Sequence, residues 1–290
     1  MSWRTVVISY NAKLDYKLEY LVVRQESITR VHLSEISTLI IETTAVSITA
    51  ALLCELTKRK IKVIFCDERR NPSSELVSYY GSHDTSIKIR KQVAWSEDIK
   101  SRVWTEVVSE KIRRQEHFLE ELGHPAASLL KGYISEMQYG DSTNREGHAA
   151  KVYFNAVFGM EFTRTSDDPI NIALNYGYSI LLSAFNREVV ANGYVTQLGI
   201  FHNNMFNQFN LSSDLMEPFR ILIDRAVYEL EPFKFDREEK LYLINVLNKE
   251  VIIDGKLNHI NNAIKIYSKS VLDALNENNM SLIRFYQDEL

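Results

Sequence analysis

A chain of 290 residues is too long for one small core, and a net charge of −4 carries no overall excess of positive charge to recommend a polyanion partner. Hydrophobic residues at 45%, with only five prolines and ten glycines, exclude a disordered chain and point to an ordered, mostly helical globular protein. Cys54 and Cys66 flank an expected helix-to-strand junction with no secretory pattern ahead of them, and the longest apolar run, Tyr178 to Phe185, is far short of a bilayer span, so the expectation is a cytoplasmic protein with reduced thiols.

The first eighty residues read as short strands rich in β-branched side chains: Arg4–Ser9, Tyr20–Arg24, Thr29–His32, Thr38–Glu42, Lys62–Cys66 and Leu76–Tyr80, with a turn at Asn71-Pro72. One helix interrupts them, Ser47–Lys60, which spaces Ile48, Leu52 and Leu56 by four and ends in Lys58-Arg59-Lys60, a complement to the negative end of the helix dipole. At Gly81-Ser82-His83-Asp84 the apolar period changes from two to about 3.6. This predicts a β-rich domain over 1–83 and a helical domain over 84–290, an α+β multidomain chain. Helices are expected over Ser86–Leu122, Pro125–Tyr139, Arg145–Phe158, Pro169–Asn192, Asp214–Glu231 and Arg237–Asn248, with one or two more to the end. Gly123 and Gly193 stand where helices stop, and Pro125 and Pro169 where they start.

Whole-chain charge hides local sign. Between Lys88 and Arg114 eight basic residues face four acidic ones, with Trp95 and Trp104 interleaved, a composition that suits either a phosphate-tracking surface or an ordinary solvated helix face.

Three segments place ionisable groups in apolar, helix-rich surroundings, where they are costly unless something binds them. Glu146 falls in the first turn of its helix behind Asn144, and positions 149, 150, 153, 156 and 157 on the same face are Ala, Ala, Tyr, Ala and Val, so the carboxylate points with the packed side. His202 closes the apolar run Leu198–Phe201; it reads either as a satisfied core histidine or as a ligand. Asp214 and Glu217, three apart, read either as a capping box or as neighbouring ligands, and Pro218 removes a backbone donor beside them, leaving a carbonyl near Asp214 in need of a partner. Two carboxylates and an imidazole from separate segments would suit a divalent cation with open positions, Mn²⁺ or Mg²⁺, rather than closed structural zinc. There is no Gly-rich phosphate loop, Cys-x-x-Cys pair or Gly-x-Ser-x-Gly elbow.

Four segments together resemble a known family: Leu39-Ile40-Ile41-Glu42, the run Glu146 to Phe154, the run Asn171 to Tyr178, and Leu198 to His202 with Asp214 to Arg220. Their order and spacing are similar to those of the CRISPR-associated integrase that captures new spacers, the larger of the two universal adaptation proteins, in the form that accompanies a single large RNA-guided effector nuclease. The resemblance implies an N-terminal β-sandwich joined to an all-helical C-terminal domain. It implies metal ligands and catalytic residues at Glu146, His202 and Glu217, a supporting Asp214, and phosphate-neutralising roles for Arg145, Lys151 and Arg220.

The implied reaction is strand transfer, in which the 3′-hydroxyl of a short foreign DNA attacks a phosphodiester at the border of a CRISPR repeat. The implied partners are double-stranded DNA (prespacer and repeat), a second copy of the chain joined through the β-rich domains, and a dimer of the smaller adaptation protein flanked by two such dimers in a heterohexamer. The effector nuclease and a ring-forming DNA-end-binding protein are implied as well. Two other functions fit the residues: a structure-specific metallonuclease of branched DNA, and a non-catalytic DNA-binding scaffold whose carboxylates merely cap helices.

Overall fold

The computed structural model of the protein describes residues 4–78 and 82–287, so the expected boundary at Gly81 and the end of the expected strand Leu76–Tyr80 lie outside the described residues. The N-terminal part builds two four-stranded sheets. In the first, β1 (Arg4–Ile8), β5 (Ile36–Ile41) and β7 (Lys62–Cys66) run parallel, and β8 (Pro72–Leu76) pairs antiparallel at the edge. In the second the order is β4 (Ile28–His32), β3 (Tyr20–Arg24), β2 (Ala12–Lys17), β6 (Val46–Ile48). Leu14, Leu21, Leu33, Ile36, Leu39 and Val63 from both sheets share one core with Leu52 and Leu56 of helix α1 (Ala50–Lys58), whose first turn is capped by the Thr49 hydroxyl.

Every residue of β5 is buried, as a central strand covered on both faces must be. Leu39 and Ile41 point into the N-terminal core, whereas Ile40, with Ile64 and Cys66 of β7, joins the core of the helical part. One sheet therefore serves two hydrophobic cores.

Two strands escaped the sequence reading and one was displaced. β2 carries the alternation Lys13-Leu14-Asp15-Tyr16-Lys17 with only Leu14 fully buried, and β6 is three residues long. The strand expected from Leu76 instead ends there, starting at Pro72, because proline is tolerated as the first residue of an edge strand.

The helical part begins with a correction. The single helix expected over Ser86–Leu122 is two, α2 (Thr85–Val93) and α3 (Glu97–Glu121), separated where the Ser96 hydroxyl accepts from the Ile99 amide and Glu97 and Asp98 follow in the first turn. Helices α4 (Ala127–Ser135), α5 (Arg145–Phe158) and α6 (Pro169–Ala191) follow, the last with Pro169 in its first turn and the Asp168 carboxylate on the Asn171 amide. Gly177 of α6 lets it approach α8 (Arg220–Leu230) so closely that a Cβ there would collide with Ile223. The helix expected over Asp214–Glu231 is broken into α7 (Asn210–Met216), a 3₁₀ turn at Glu217–Phe219, and α8. α9 (Arg237–Asn245) and α10 (Ile260–Glu277) complete the bundle.

The C-terminal part is not purely helical. β9 (Glu250–Ile253), β10 (Lys256–His259) and β11 (Tyr286–Gln287) form a small antiparallel sheet, with Asp254 and Gly255 both at positive φ in the hairpin turn. Among the described residues no helix is long and apolar enough to cross a membrane.

Candidate metal centre

Three elements bring Glu146, Glu217 and a lysine together. Lys111, on the buried side of α3, donates from Nζ to Glu146 Oε1 at 2.5 Å and stands 2.6 Å from Glu217 Oε2. Its side chain is 8% exposed, Glu217 2% and Glu146 24%, so a buried ammonium bridges one buried and one half-buried carboxylate. Burial works against the lysine's charge, but Glu217 and Glu146 outweigh it and hold its pKa above the ordinary value. Burial likewise pushes the Glu217 carboxyl up, but Arg220 and Lys111 prevail and hold it below the usual carboxylate range. Arg220 reaches Glu217 Oε1 through Nε at 2.9 Å while its guanidinium lies 4.7 Å from the centre of the Tyr178 ring.

Glu146 owes its position to a cap different from the expected one. Asn144 precedes α5 in the left-handed conformation and its side chain caps nothing; Asp141 does the work, accepting from the Arg145 amide at 2.7 Å and the Glu146 amide at 3.0 Å. The face on which Glu146 was placed is the packed one, with Ala149, Tyr153 and Val157 buried beneath it.

Asp214 is not an N-cap, so the capping box with Glu217 is absent. It lies inside α7, fully buried, and its carboxylate gathers the loop that carries His202: Oδ2 accepts from the amides of Ile200 (2.6 Å) and Phe201 (3.0 Å), and Oδ1 from the His202 amide (3.1 Å) and against His202 Nδ1 (2.5 Å). Gly199 makes this possible, since a Cβ there would collide with the His202 carbonyl and stand 2.7 Å from Asp214 Oδ2. The bond to Asp214 raises the His202 pKa, burial opposes it, and the charges of Asp214, Glu217 and Glu146 add to the rise. Trp104 of α3 stacks flat on Phe201 at 4.4 Å and meets the imidazole edge-on at 5.6 Å, fixing the ring from the other side. The carbonyl that Pro218 deprives of its usual donor is satisfied by the Glu217 amide, a 3₁₀ contact that turns the chain between α7 and α8.

The other expected residues are spread out. Arg145 pairs with Glu136 at 2.7 Å and lies 5.5 Å from the centre of the Tyr133 ring; Lys151 is exposed on α5; His148 is exposed. The basic run between Lys88 and Arg114 does not form one surface, because Lys111 and Arg114 are buried while Arg90, Lys91 and Arg113 are exposed, and its two tryptophans are core residues.

Sequence reasoning counted Lys111 among surface charges. The signal that marks it is helical spacing: Trp104, Val108, Lys111 and Gln115 recur at four, three and four, all buried.

Among the described residues no three His, Cys, Asp or Glu side chains are already grouped as a metal cage. The donor chemistry nevertheless suits a cation. Glu146 and Glu217 share the Lys111 ammonium, and Glu217 Oε2 is buried in contact with that charge without accepting an aligned hydrogen bond.

Comparison with known proteins agrees with this arrangement of elements. The family pattern described as CRISPR associated protein Cas1 matches residues 5–234. The CRISPR-associated endonuclease Cas1 of Neisseria meningitidis serogroup C (strain 8013) is 36% identical over 262 residues, covering 88% of this chain and 86% of that protein. Two solved structures share the fold: a casposase bound to integration product, with a TM-score of 0.76 and 16% identity over 97% of this chain and 92% of its own, and a chain of the Cas6-RT-Cas1--Cas2 complex, with 0.74 and 18% over 99% of this chain and 36% of that longer one. By the family match and by the extent of its identity to the Neisseria protein, the chain belongs to the CRISPR-associated Cas1 family.

Proposed function

We propose that the protein is a metal-dependent DNA integrase that joins short foreign DNA to a CRISPR array. The observation that carries this reading is the convergence of Glu146 and Glu217 on a single cation, close enough to His202 for their charges to raise its pKa. Glu146, His202 and Glu217 are the residues that would hold Mg²⁺ or Mn²⁺. When bound, such an ion polarises a non-bridging phosphate oxygen and offsets the charge that develops on the attacking and departing oxygens.

The chain's own groups do the positioning. Asp214 engages Nδ1 of His202 and leaves Nε2 as the ligating or hydrogen-bonding nitrogen. Arg220 keeps Glu217 ionised and fixes its orientation. Arg145 and Lys151, on the first two turns of α5, are the nearest cations to Glu146 in sequence and are assigned to the DNA backbone. In the reaction a DNA 3′-hydroxyl attacks a repeat-border phosphodiester; one P–O bond forms as another breaks, so no external energy source is needed.

Two attacks at fixed separation call for two such sites. Residues 1–83 are accordingly assigned to homodimerisation and 84–290 to catalysis, and the smaller adaptation protein is the partner, in keeping with the Cas1–Cas2 pairing named for the structural neighbour. The effector nuclease and the ring-forming DNA-end-binding protein remain secondary partners, and the compartment is assigned as the cytoplasm.

The name of the Neisseria relative favours one further reading, cleavage of branched DNA by the same site. A single experiment addresses both. Glu217→Ala, assayed for joining of a prespacer to a repeat-containing plasmid in Mn²⁺, is expected to lose joining by at least about a hundredfold, the scale of losing one centre of electrostatic stabilisation, while retaining DNA binding. Joining at the wild-type rate would overturn the assignment, and cutting of branched DNA without joining would leave the nuclease reading alone.

A further inference from the structure

We infer that Lys111 is the resident counter-cation of Glu146 and Glu217, and that a divalent ion binds there only by displacing its ammonium. The inference rests on the proposed metal reading and deepens it.

The two carboxylates are already neutralised in the protein as it stands. Lys111 Nζ contacts both, at 2.5 Å and 2.6 Å, and Arg220 Nε takes the remaining oxygen of Glu217 at 2.9 Å. Two negative charges thus meet two positive ones in a place where Glu217 and Lys111 are almost wholly buried. A divalent ion added to that set would leave two uncompensated positive charges in a poorly solvated pocket, which is unfavourable enough that one resident cation must leave.

Geometry selects which one. The Arg220 guanidinium is held by its carboxylate and by the face of Tyr178, whereas the lysine ends a flexible four-carbon stem and carries a compact point charge. Lys111 also occupies the position between the two carboxylates that a shared cation requires, and Arg220 does not. While no divalent ion is bound, the same ammonium keeps two like charges from repelling each other, so α3, α5 and the turn at Glu217–Phe219 stay assembled.

The test is calorimetric titration of the metal-free, full-length protein with Mn²⁺, comparing wild type with Lys111→Met, which keeps the stem and removes the charge. Displacement predicts that the variant binds Mn²⁺ about tenfold more tightly or better and that Mn²⁺ raises its Tm more than it raises that of the wild type. Equal or weaker binding would overturn the inference. Should Lys111→Met fold only with metal present, Lys111→Arg decides the matter: it keeps the positive charge and is expected to bind Mn²⁺ no more tightly than wild type, and a tightening there would contradict the charge argument. Wild-type binding that ignores Glu217→Gln would sink the metal reading itself. Binding that needs Glu217 but is not tightened by Lys111→Met sinks only the displacement.

Discussion

Asp214 shows how one buried carboxylate can organise a site without touching a substrate. It accepts from three consecutive backbone amides and from an imidazole, so it defines both the path of the 200–202 loop and the ring nitrogen that His202 turns away from it. Removing it strands three donors, each worth about 1 to 3 kcal/mol when left unsatisfied and less where water can enter. Asp214→Ala is therefore expected to lower unfolding stability by about 3 kcal/mol in urea titrations and to release His202, with Asp214→Asn intermediate because one acceptor oxygen survives. A loss below about 1 kcal/mol would mean the loop is held by other contacts, such as the bonds of Gln92 to Val195 and Leu198. Sequence alone weighed a capping box against a metal role for this residue and could decide neither, because the choice depends on where a loop twelve residues away returns.

At the scale of elements, α5, α6 and α8 are tied by Asp224, a fully enclosed carboxylate that accepts from the Tyr178 hydroxyl and faces Tyr153, Arg220 and Lys111. Burial pushes its pKa up, partly offset by the Tyr178 hydroxyl and the two cations, to about 6 from an ordinary 3.8. A carboxylate raised in this way binds more protons in the folded chain than in the unfolded one. Its contribution is complete below the unfolded pKa and is lost as pH rises through the folded one, between about 4 and 6. Glu217, held low, works in the opposite direction and loses its contribution as pH falls. Asp224→Asn should therefore gain stability relative to wild type as pH rises from about 4 to 6, by up to about 3 kcal/mol; parallel profiles for the two proteins would show that Asp224 titrates normally.

Elements with strong periodicity and chemical ends were legible: α5 and β7 fall where the pattern placed them, and α6 within one residue. The Ala94-Trp95-Ser96 break was missed because apolar spacing runs across it and only the Ser96 cap marks it. The Asp254-Gly255 hairpin was missed although that dipeptide is a strong turn signal, because helices were expected on either side.

The whole molecule joins its two parts through one sheet and a polar seam. Ile40, Ile64 and Cys66 turn the outer face of β5 and β7 into helical core, Lys240 donates to the carbonyls of Arg69 and Arg70, and the buried Glu42 pairs with Arg70 at 3.3 Å. Such contacts fix how the N-terminal sheets sit on the helical bundle, and they arise from residues far apart in the chain, which is why composition shifts suggest two regions yet cannot show how they dock. The same holds for the candidate site. Its carboxylates and its imidazole were readable as costly groups in apolar surroundings, but the buried lysine between two of them belongs to a helix that reads as surface until its packing is known.

The account stands on Glu146 of α5, His202 of the loop before α7, and Glu217 of the turn after it sharing one ion. The most direct measurement is anomalous scattering from crystals of the protein grown with Mn²⁺ and a repeat-containing DNA duplex. The expected result is a manganese peak coordinated by Glu146, His202 and Glu217, with the Lys111 ammonium moved off both carboxylates. Manganese bound elsewhere, or a site with Lys111 still seated between Glu146 and Glu217, would contradict it.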